Sequence, residues 1–339
     1  MRLLRLAAIN AAVLLLLLLV ALGAAEAYLR FTVPESSSES IFQYTLETKR
    51  YKLMRPDAEI VAWGKPLRTN RLGFRDNDSD IPPKQPGEFR IVVIGDSFTV
   101  SAGVEYERIY TTLLESMLQQ RYPGVKVINL AVAGYNVLQY ELVLHEVALA
   151  LGPDLVLVSV FPTNDFSNET LEANYRRARG EPEPPKPAFP RSLHVWQAWL
   201  GRVEAKVASL FQGEVRPAKG DSGWADNIAA LGRIAEAARE RKLPLLVATL
   251  PHTWNFTSQR PMHDRVQRYC AEHAIPCFNA LEAFIAARVK EAALRLNPLD
   301  SHPNEAYNLI AARALAGRLE QGLVHPARAA DASQVSQAR

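Results

Sequence analysis

The 339-residue sequence predicts a three-layer α/β/α domain on a parallel sheet of about five strands, preceded by an N-terminal transmembrane helix. Two patterns carry this prediction. From residue 90 onward, short apolar runs alternate with amphipathic stretches, which is typical of a parallel sheet with helices on both faces. Ahead of them, an apolar run of about 20 residues is long enough to cross a bilayer.

Residues 1–31 are predicted to be a membrane anchor. Arg2 and Arg5 precede the apolar run from Leu6 to Ala25, which predicts that this end stays in the cytoplasm and the remainder lies outside. A cleaved signal peptide is the alternative, because Ala25-Glu26-Ala27 has the form of a cleavage site. The anchor is favoured, since the run exceeds the signal core of about 7–15 residues. We therefore expect a single-pass protein of the cytoplasmic membrane with a periplasmic domain, or a secreted protein if cleavage occurs.

Residues 32–88 mix polar turn formers with short apolar stretches and are predicted to be a linker with a strand-rich lead-in. Within them, Leu72 and Phe74 alternate with polar neighbours. This alternation predicts an edge strand in the segment from Thr69 to Asp78.

The main domain is predicted to cover residues 89–324. Its five expected strands are Arg90–Ile94, Val125–Leu130, Asp154–Phe161, Leu243–Leu250 and Ile275–Asn279. Apolar residues at helical spacing predict helices between and after them. The residues that mark these helices are Ile109, Leu113 and Met117 in the first, Trp224, Ile228, Leu231, Ala235 and Ala238 in a later one, and Tyr307, Ile310, Ala311, Ala314 and Leu315 in the last.

Residues 174–222 interrupt the alternation with a proline-rich stretch and a further amphipathic helix. The apolar face of that helix comprises Trp196, Leu200, Val203, Val207 and Leu210. The helix either packs on the domain, forms a lid over the site or rests on the membrane surface, where Trp196 and Trp199 would suit the interface. The small, polar residues 325–339 are predicted to be disordered.

Charge and residue spacing exclude several classes of partner. The 39 basic and 36 acidic residues are spread along the chain, so no nucleic-acid partner is predicted. Gly95–Gly103 lacks a nucleotide-binding glycine pattern. His145, His194, His252, His263 and His273 show no metal-ligand spacing, although His252 could line a pocket after the fourth strand. No cofactor is predicted.

The two cysteines, Cys270 and Cys277, are predicted at the end of a helix and in the strand that follows. An oxidising compartment would permit a disulfide between them. The alternative is a pair of small core residues packed side by side.

The candidate reacting residues follow the first strand and precede the last helix. The loop Gly95-Asp96-Ser97 places a serine at the carboxyl edge of the sheet, where ligands of such folds bind. A serine hydroxyl is a weak nucleophile unless a base takes its proton. Asp300-Ser301-His302 supplies a histidine with a carboxylate beside it.

These residues, with two intervening turns, resemble the four motif blocks of the SGNH, or GDSL-type, hydrolases over roughly residues 90–320. The turn from Asn129 to Asn136 is similar to the second block, and Thr163-Asn164-Asp165 to the third. The resemblance implies a flavodoxin-like fold, a catalytic triad and an oxyanion hole. The triad would comprise Ser97, Asp300 and His302, and the oxyanion hole would comprise Ser97, Gly134 and Asn164.

Three positions depart from the pattern of that family. Pro162 stands where the third block usually has glycine, and the last block reads Asp-x-His where Asp-x-x-His is common. Ser101 occupies a position at which similar proteins often carry glycine. We expect these departures to affect the contact of Asp300 and the loop beside the nucleophile.

The resemblance predicts a serine esterase that removes acyl groups, acetyl or other short chains, from a carbohydrate or lipid of the cell envelope. An O-acyltransferase would use the same acyl-enzyme but exclude water, so that a polysaccharide hydroxyl accepts the acyl group. A non-catalytic carbohydrate-binding scaffold is the third hypothesis, because a fold alone does not fix a function.

Overall fold

The computed structural model describes residues 2–32, 38–182 and 221–322. Its first helix, α1 (Arg2–Thr32), contains the stretch Arg5–Phe31, which is long and apolar enough to cross a membrane. A signal sequence near the N-terminus passes the same test of length and composition. Both interpretations of the N-terminal segment therefore stand.

The lead-in contains two antiparallel β-hairpins. In the first, β1 (Phe42–Tyr44) pairs with β2 (Lys52–Met54), and in the second, β3 (Glu59–Ala62) pairs with β4 (Lys65–Arg68). A short 3₁₀ helix, Ser38–Ile41, precedes them.

The segment from residue 69 to 78 is not the edge strand that its alternating pattern predicts. Only an isolated bridge between Thr69 and Arg75 is present, and a turn fills the space between them. The Asn70 side-chain oxygen accepts hydrogen bonds from the backbone N–H groups of Leu72 and Phe74, each at 3.0 Å. This side chain satisfies donors that a strand would have paired, and so stabilises the turn instead.

The central sheet confirms the predicted fold. Its strands are β5 (Phe89–Ile94), β6 (Val125–Asn129), β7 (Leu155–Val160), β8 (Leu245–Thr249) and β9 (Cys277–Asn279). All pairings are parallel, in the order β6-β5-β7-β8-β9. Because the chain passes to β6 on one side of β5 and to β7 on the other, the carboxyl end of β5 lies at a topological switch point.

Helices cover both faces of the sheet. They are α2 (Ser97–Val100), α3 (Tyr110–Gln119), α4 (Val137–Glu146), α5 (Glu169–Ala178), α6 (Asp221–Glu240), α7 (Phe256–Glu272), α8 (Leu281–Ala286) and α9 (Glu305–Gly322). Further 3₁₀ turns are Tyr106–Arg108, Ala148–Leu151 and Glu291–Leu294. A last hairpin pairs β10 (Arg295–Asn297) with β11 (Asp300–Pro303) just before α9.

Alternate residues of the strands enter two separate cores. Val92 and Ile94 of β5 face a core shared with α4 and α6, whereas Ile91 and Val93 face one shared with α3, α8 and α9. The apolar positions that predict the second and last of the marked helices lie in or against these cores at α6 and α9. Burial on both faces explains why the strands read as continuous apolar runs.

The predicted insertion helix around Trp196 and the tail of residues 325–339 lie outside the described residues.

Cys270 lies near the end of α7 and Cys277 begins β9, and both are free thiols in the structure. A hydrogen bond with Cys277, together with burial, raises the pKa of the Cys270 thiol.

Arg75 of the lead-in binds the backbone that follows the serine helix. Its guanidinium donates hydrogen bonds of 2.6 Å to the carbonyls of Val100, Ser101 and Val104, and the residue is 2% exposed. Burial lowers its pKa to about 10, although nearby acidic groups act in the opposite direction. A cation at the carbonyl end of a helix satisfies acceptors that would otherwise be unpaired. The lead-in thus fixes the C-terminal end of α2.

Substituting Arg75→Ala is expected to lower the free energy of unfolding by about 3 kcal/mol, because it leaves the buried carbonyls of Val100 and Val104 without a donor and removes one of the two donors to the Ser101 carbonyl. Urea denaturation of the variant and the parent measures this difference. Arg71→Ala is the matched control, since that arginine is 67% exposed and its ion pair with Asp80 is expected to contribute at most about 1 kcal/mol. Equal effects of the two substitutions would contradict the assigned role of Arg75.

Candidate active site

The serine turn is shaped by the residues on either side of it. β5 ends at Ile94, and α2 begins at Ser97 with Asp96 as its N-cap, whose carboxylate accepts the Phe98 N–H at 2.9 Å. At Gly95 a Cβ atom would lie 2.3 Å from the Thr99 hydroxyl, so only glycine fits there. The half-buried Ser97 is therefore held at the carboxyl edge of a central strand.

The fold brings Ser97 and His302 together although they are 205 residues apart. His302 Nε2 lies 3.0 Å from Ser97 Oγ, and His302 Nδ1 lies 2.6 Å from Asp300 Oδ1. The contact of Ser97 Oγ with Asp96 is longer, at 3.4 Å. Serine, imidazole and carboxylate thus form a continuous hydrogen-bonded chain, which is the arrangement that activates a serine hydroxyl.

The spacing of Asp300 and His302 is explained by their position on β11. Alternate residues of a strand point to the same side, so the single intervening residue, Ser301, leaves both side chains on one face. Asp300 Oδ1 also accepts the backbone N–H of His302 at 2.8 Å. The Asp-x-His spacing therefore suits a strand.

Asp300 and His302 shift each other's pKa values against the effect of burial. Burial acts to lower the pKa of His302, but its hydrogen bond to Asp300 and the charge of Asp300, helped by Asp96, raise it above the ordinary 6.5. Burial acts in turn to raise the pKa of Asp300, and the hydrogen bond and charge of His302 lower it overall. With the ring proton on Nδ1 facing Asp300, neutral His302 presents Nε2 as an acceptor for the Ser97 proton.

The predicted oxyanion donors lie in three separate turns. Within the described residues, neither the Ser97 N–H nor the Gly134 N–H has a hydrogen-bond acceptor. Gly134 has φ +78°, and a Cβ there would lie 3.0 Å from Thr170 Cγ2, so the position requires glycine. The Asn164 amide donates to Asp96 Oδ2 at 3.2 Å, which connects its turn to the residue next to Ser97.

A buried carboxylate that the sequence interpretation did not single out supports the Asn164 turn. Asp165 Oδ2 accepts the Phe161 N–H at 2.8 Å and the Tyr140 hydroxyl at 2.7 Å. Burial, aided by the charge of Asp96, raises the pKa of Asp165 well above its ordinary value.

Ser101 adopts a conformation that favours glycine. Its φ is +50°, and its hydroxyl shares its one proton between the Phe98 carbonyl at 2.7 Å and Asn308 Oδ1 at 3.0 Å. These two bonds, with the Arg75 contact to its carbonyl, hold a serine in the left-handed region. They explain how the loop keeps its course without glycine.

Aromatic rings surround the base. Phe98 lies 5.5 Å from the His302 ring, and Trp63 of the lead-in lies 6.1 Å from it, between centroids. His252 lies 5.0 Å from Phe98, and its Nε2 is 3.4 Å from the Ser301 hydroxyl. Burial, followed by the charges of His302 and Arg295, lowers the pKa of His252 to about 3. Trp63 has no signal in the sequence, because it belongs to a turn 34 residues before the serine.

Comparison with known proteins gives one family match and several structural similarities. A sequence model described as the GDSL-like lipase/acylhydrolase family matches residues 93–308, well over half of the chain. No curated protein matches. The acetylxylan esterase of Geobacillus stearothermophilus is similar at 19% identity and a TM-score of 0.42, over 69% of this chain and 94% of that one. An alpha/beta hydrolase from the metagenome of Lake Arreo is similar at 15% identity and a TM-score of 0.41, over 70% and 97% of the two chains.

The pKa values of the two histidines near the serine are expected to be shifted in opposite directions. His302 should show a pKa above 6.5, and Asp300→Asn should lower it, because the substitution removes the negative charge that favours the imidazolium. His252 should remain neutral down to a pH of about 3. Titration of the histidine ring resonances by NMR measures both values. Asp80→Asn, at an exposed carboxylate, serves as the control. A His302 pKa below 6.5, or one that Asp300→Asn leaves unchanged, would contradict this electrostatic account.

Proposed function

The chain belongs to the GDSL-like lipase/acylhydrolase family and is a carboxylic ester hydrolase, and we propose that Ser97, His302 and Asp300 are its catalytic triad. The observation that carries the proposal is the hydrogen-bonded chain of 3.0 Å and 2.6 Å that connects the three side chains. Three groups from two distant segments meet in the order that acyl transfer requires.

In the proposed reaction, His302 Nε2 takes the Ser97 proton as Oγ attacks the ester carbonyl carbon. The tetrahedral intermediate carries its negative charge on the former carbonyl oxygen. His302 then gives the proton to the departing alcohol oxygen, which leaves an acyl-enzyme and free alcohol. Water attacks the acyl-enzyme by the same steps, which releases the acid and restores Ser97. Asp300 stabilises the imidazolium in both halves of the reaction.

The oxyanion is proposed to accept hydrogen bonds from the N–H groups of Ser97 and Gly134 and from the Asn164 amide. The two backbone donors have no acceptor among the described residues, so they are available to a substrate. An amide nitrogen has two N–H groups, and Asn164 uses one of them for Asp96. Loss of one such donor typically costs about 10²–10³ in rate.

The substrate is proposed to be a short-chain acyl ester, such as an acetyl ester, of a carbohydrate or lipid in the cell envelope. The match to the lipase/acylhydrolase family supports an acyl ester as the substrate. The N-terminal helix supports a location of the catalytic domain on the outer side of the cytoplasmic membrane. The domain is either anchored there by this helix or released after cleavage.

Turnover of p-nitrophenyl acetate and butyrate by the purified chain tests this proposal. We expect Ser97→Ala to lower kcat by at least about 10³-fold, because the nucleophile is lost. Ser116→Ala is the matched control, since the hydroxyl of that exposed serine on α3 donates to the Thr112 carbonyl of its own helix, and the substitution should leave kcat unchanged within about twofold.

The other outcomes separate the competing functions. Ser97-dependent turnover that delivers acetyl to an added sugar in preference to water would identify an O-acyltransferase. Absence of turnover from the folded parent chain, or turnover retained by Ser97→Ala, would refute the proposed triad. A folded parent that binds acylated sugar but shows no turnover would identify a scaffold.

A further inference from the structure

Trp63 occupies a turn position that its side chain disfavours. It is the first residue of the two-residue connection Trp63-Gly64 between β3 and β4, which the Ala62–Lys65 pair closes. Its φ is +47° and that of Gly64 is +76°, as in a type I′ turn. Such turns prefer asparagine or glycine at this position, and a large aromatic residue rarely adopts this conformation. A disfavoured conformation beside a reacting group motivates a search for its function.

The neighbours of Trp63 hold its ring at the edge of the site. A Cβ atom built on Gly103 would lie 3.1 Å from Trp63 Cβ and 2.7 Å from Leu296 Cδ2, so Gly103 leaves room for both. Gly103 follows the serine helix, and Leu296 belongs to β10, the partner of the strand that carries His302. The ring lies 6.1 Å from the His302 ring and remains partly exposed.

The ring of Trp63 lies beside the His302 imidazole, with 6.1 Å between the ring centroids. In acyl transfer the base delivers its proton to the alcohol oxygen, whereas the carbonyl oxygen faces the oxyanion donors. A partly exposed ring beside His302 is therefore placed to border the alcohol portion of an ester.

We propose that Trp63 is a specificity-determining residue whose indole stacks on the pyranose ring that carries the ester, so that the substrate is an acylated carbohydrate. This inference rests on the proposed function of Ser97 and His302. It also assigns a role to the lead-in, which lies outside the matched family region of residues 93–308.

Mixed polarity around the indole favours a sugar over a fatty chain. A pyranose ring combines an apolar C–H face, which packs on an aromatic ring, with hydroxyl groups that need polar partners. Next to Trp63, Lys65 pairs with Glu105 at 2.9 Å, and both side chains are more than a third exposed. A long-chain alcohol portion would need a continuous apolar wall, which this charged pair interrupts.

Trp63→Asn is the test variant, because asparagine is favoured in this turn and should not lower the melting temperature. In the Ser97→Ala background, binding of O-acetylated xylotetraose is measured by isothermal titration calorimetry. We expect Trp63→Asn to raise Kd about tenfold and Trp63→Phe, which keeps a flat ring, to raise it less. Arg68→Gln, at an exposed residue of the same hairpin, is the control.

With Ser97 intact, the ratio of kcat/KM for acetylated xylotetraose to that for ethyl acetate is expected to fall about tenfold in Trp63→Asn. An unchanged Kd, an unchanged ratio, or hydrolysis of ethyl acetate without sugar binding would refute the inference and leave the triad standing. Sugar binding that Trp63→Asn weakens, in a parent that hydrolyses neither ester, would support the inference and refute the proposed function. A selective loss on tributyrin would indicate a lipid substrate and overturn the inference.

Discussion

The hydrogen bond between His302 Nε2 and Ser97 Oγ joins the start of α2, just after the first strand of the sheet, to β11 of the last hairpin. Its formation depends on the parallel topology, which places the carboxyl ends of β5, β6 and β7 at one edge. A serine at the end of β5 lies at the switch point of the strand order, where neighbouring loops diverge and leave space for a ligand. The hairpin of β10 and β11 then places Asp300 and His302, which share one face of β11, beside this serine.

Most of the remaining structure near the site holds the serine turn against this histidine. Asp96 caps the N-terminal end of α2 and accepts a hydrogen bond from the Asn164 amide. Arg75 binds the carbonyls at the C-terminal end of α2. The side chains of Asp96 and Asp165 are both fully buried. The charge of Asp96 adds to that of Asp300 in favouring protonated His302, so the site is suited to stabilise an imidazolium at this position.

The sequence predicts the sheet well because burial on both faces leaves short apolar runs that alternate with amphipathic helical stretches. The sequence also predicts that Ser97 and His302 lie near each other, since each stands among recognisable motif residues at the edge of that sheet. It fails at residues 69–78, where the Asn70 side chain forms a turn that apolar alternation does not reveal. Arg75 and Trp63 could not be predicted either, because their importance arises from contacts with segments about 25 to 240 residues away.

Covalent labelling of Ser97 tests the proposed triad of Ser97, His302 and Asp300 most directly. The folded chain is treated with diisopropyl fluorophosphate, and mass spectrometry of the intact chain and its peptides locates the adduct. We expect one adduct, on Ser97, which forms far more slowly in His302→Ala at the same pH because the serine then lacks its base. An adduct on another residue, or equal labelling of Ser97 in parent and His302→Ala, would contradict the hydrogen-bonded triad on which the account depends.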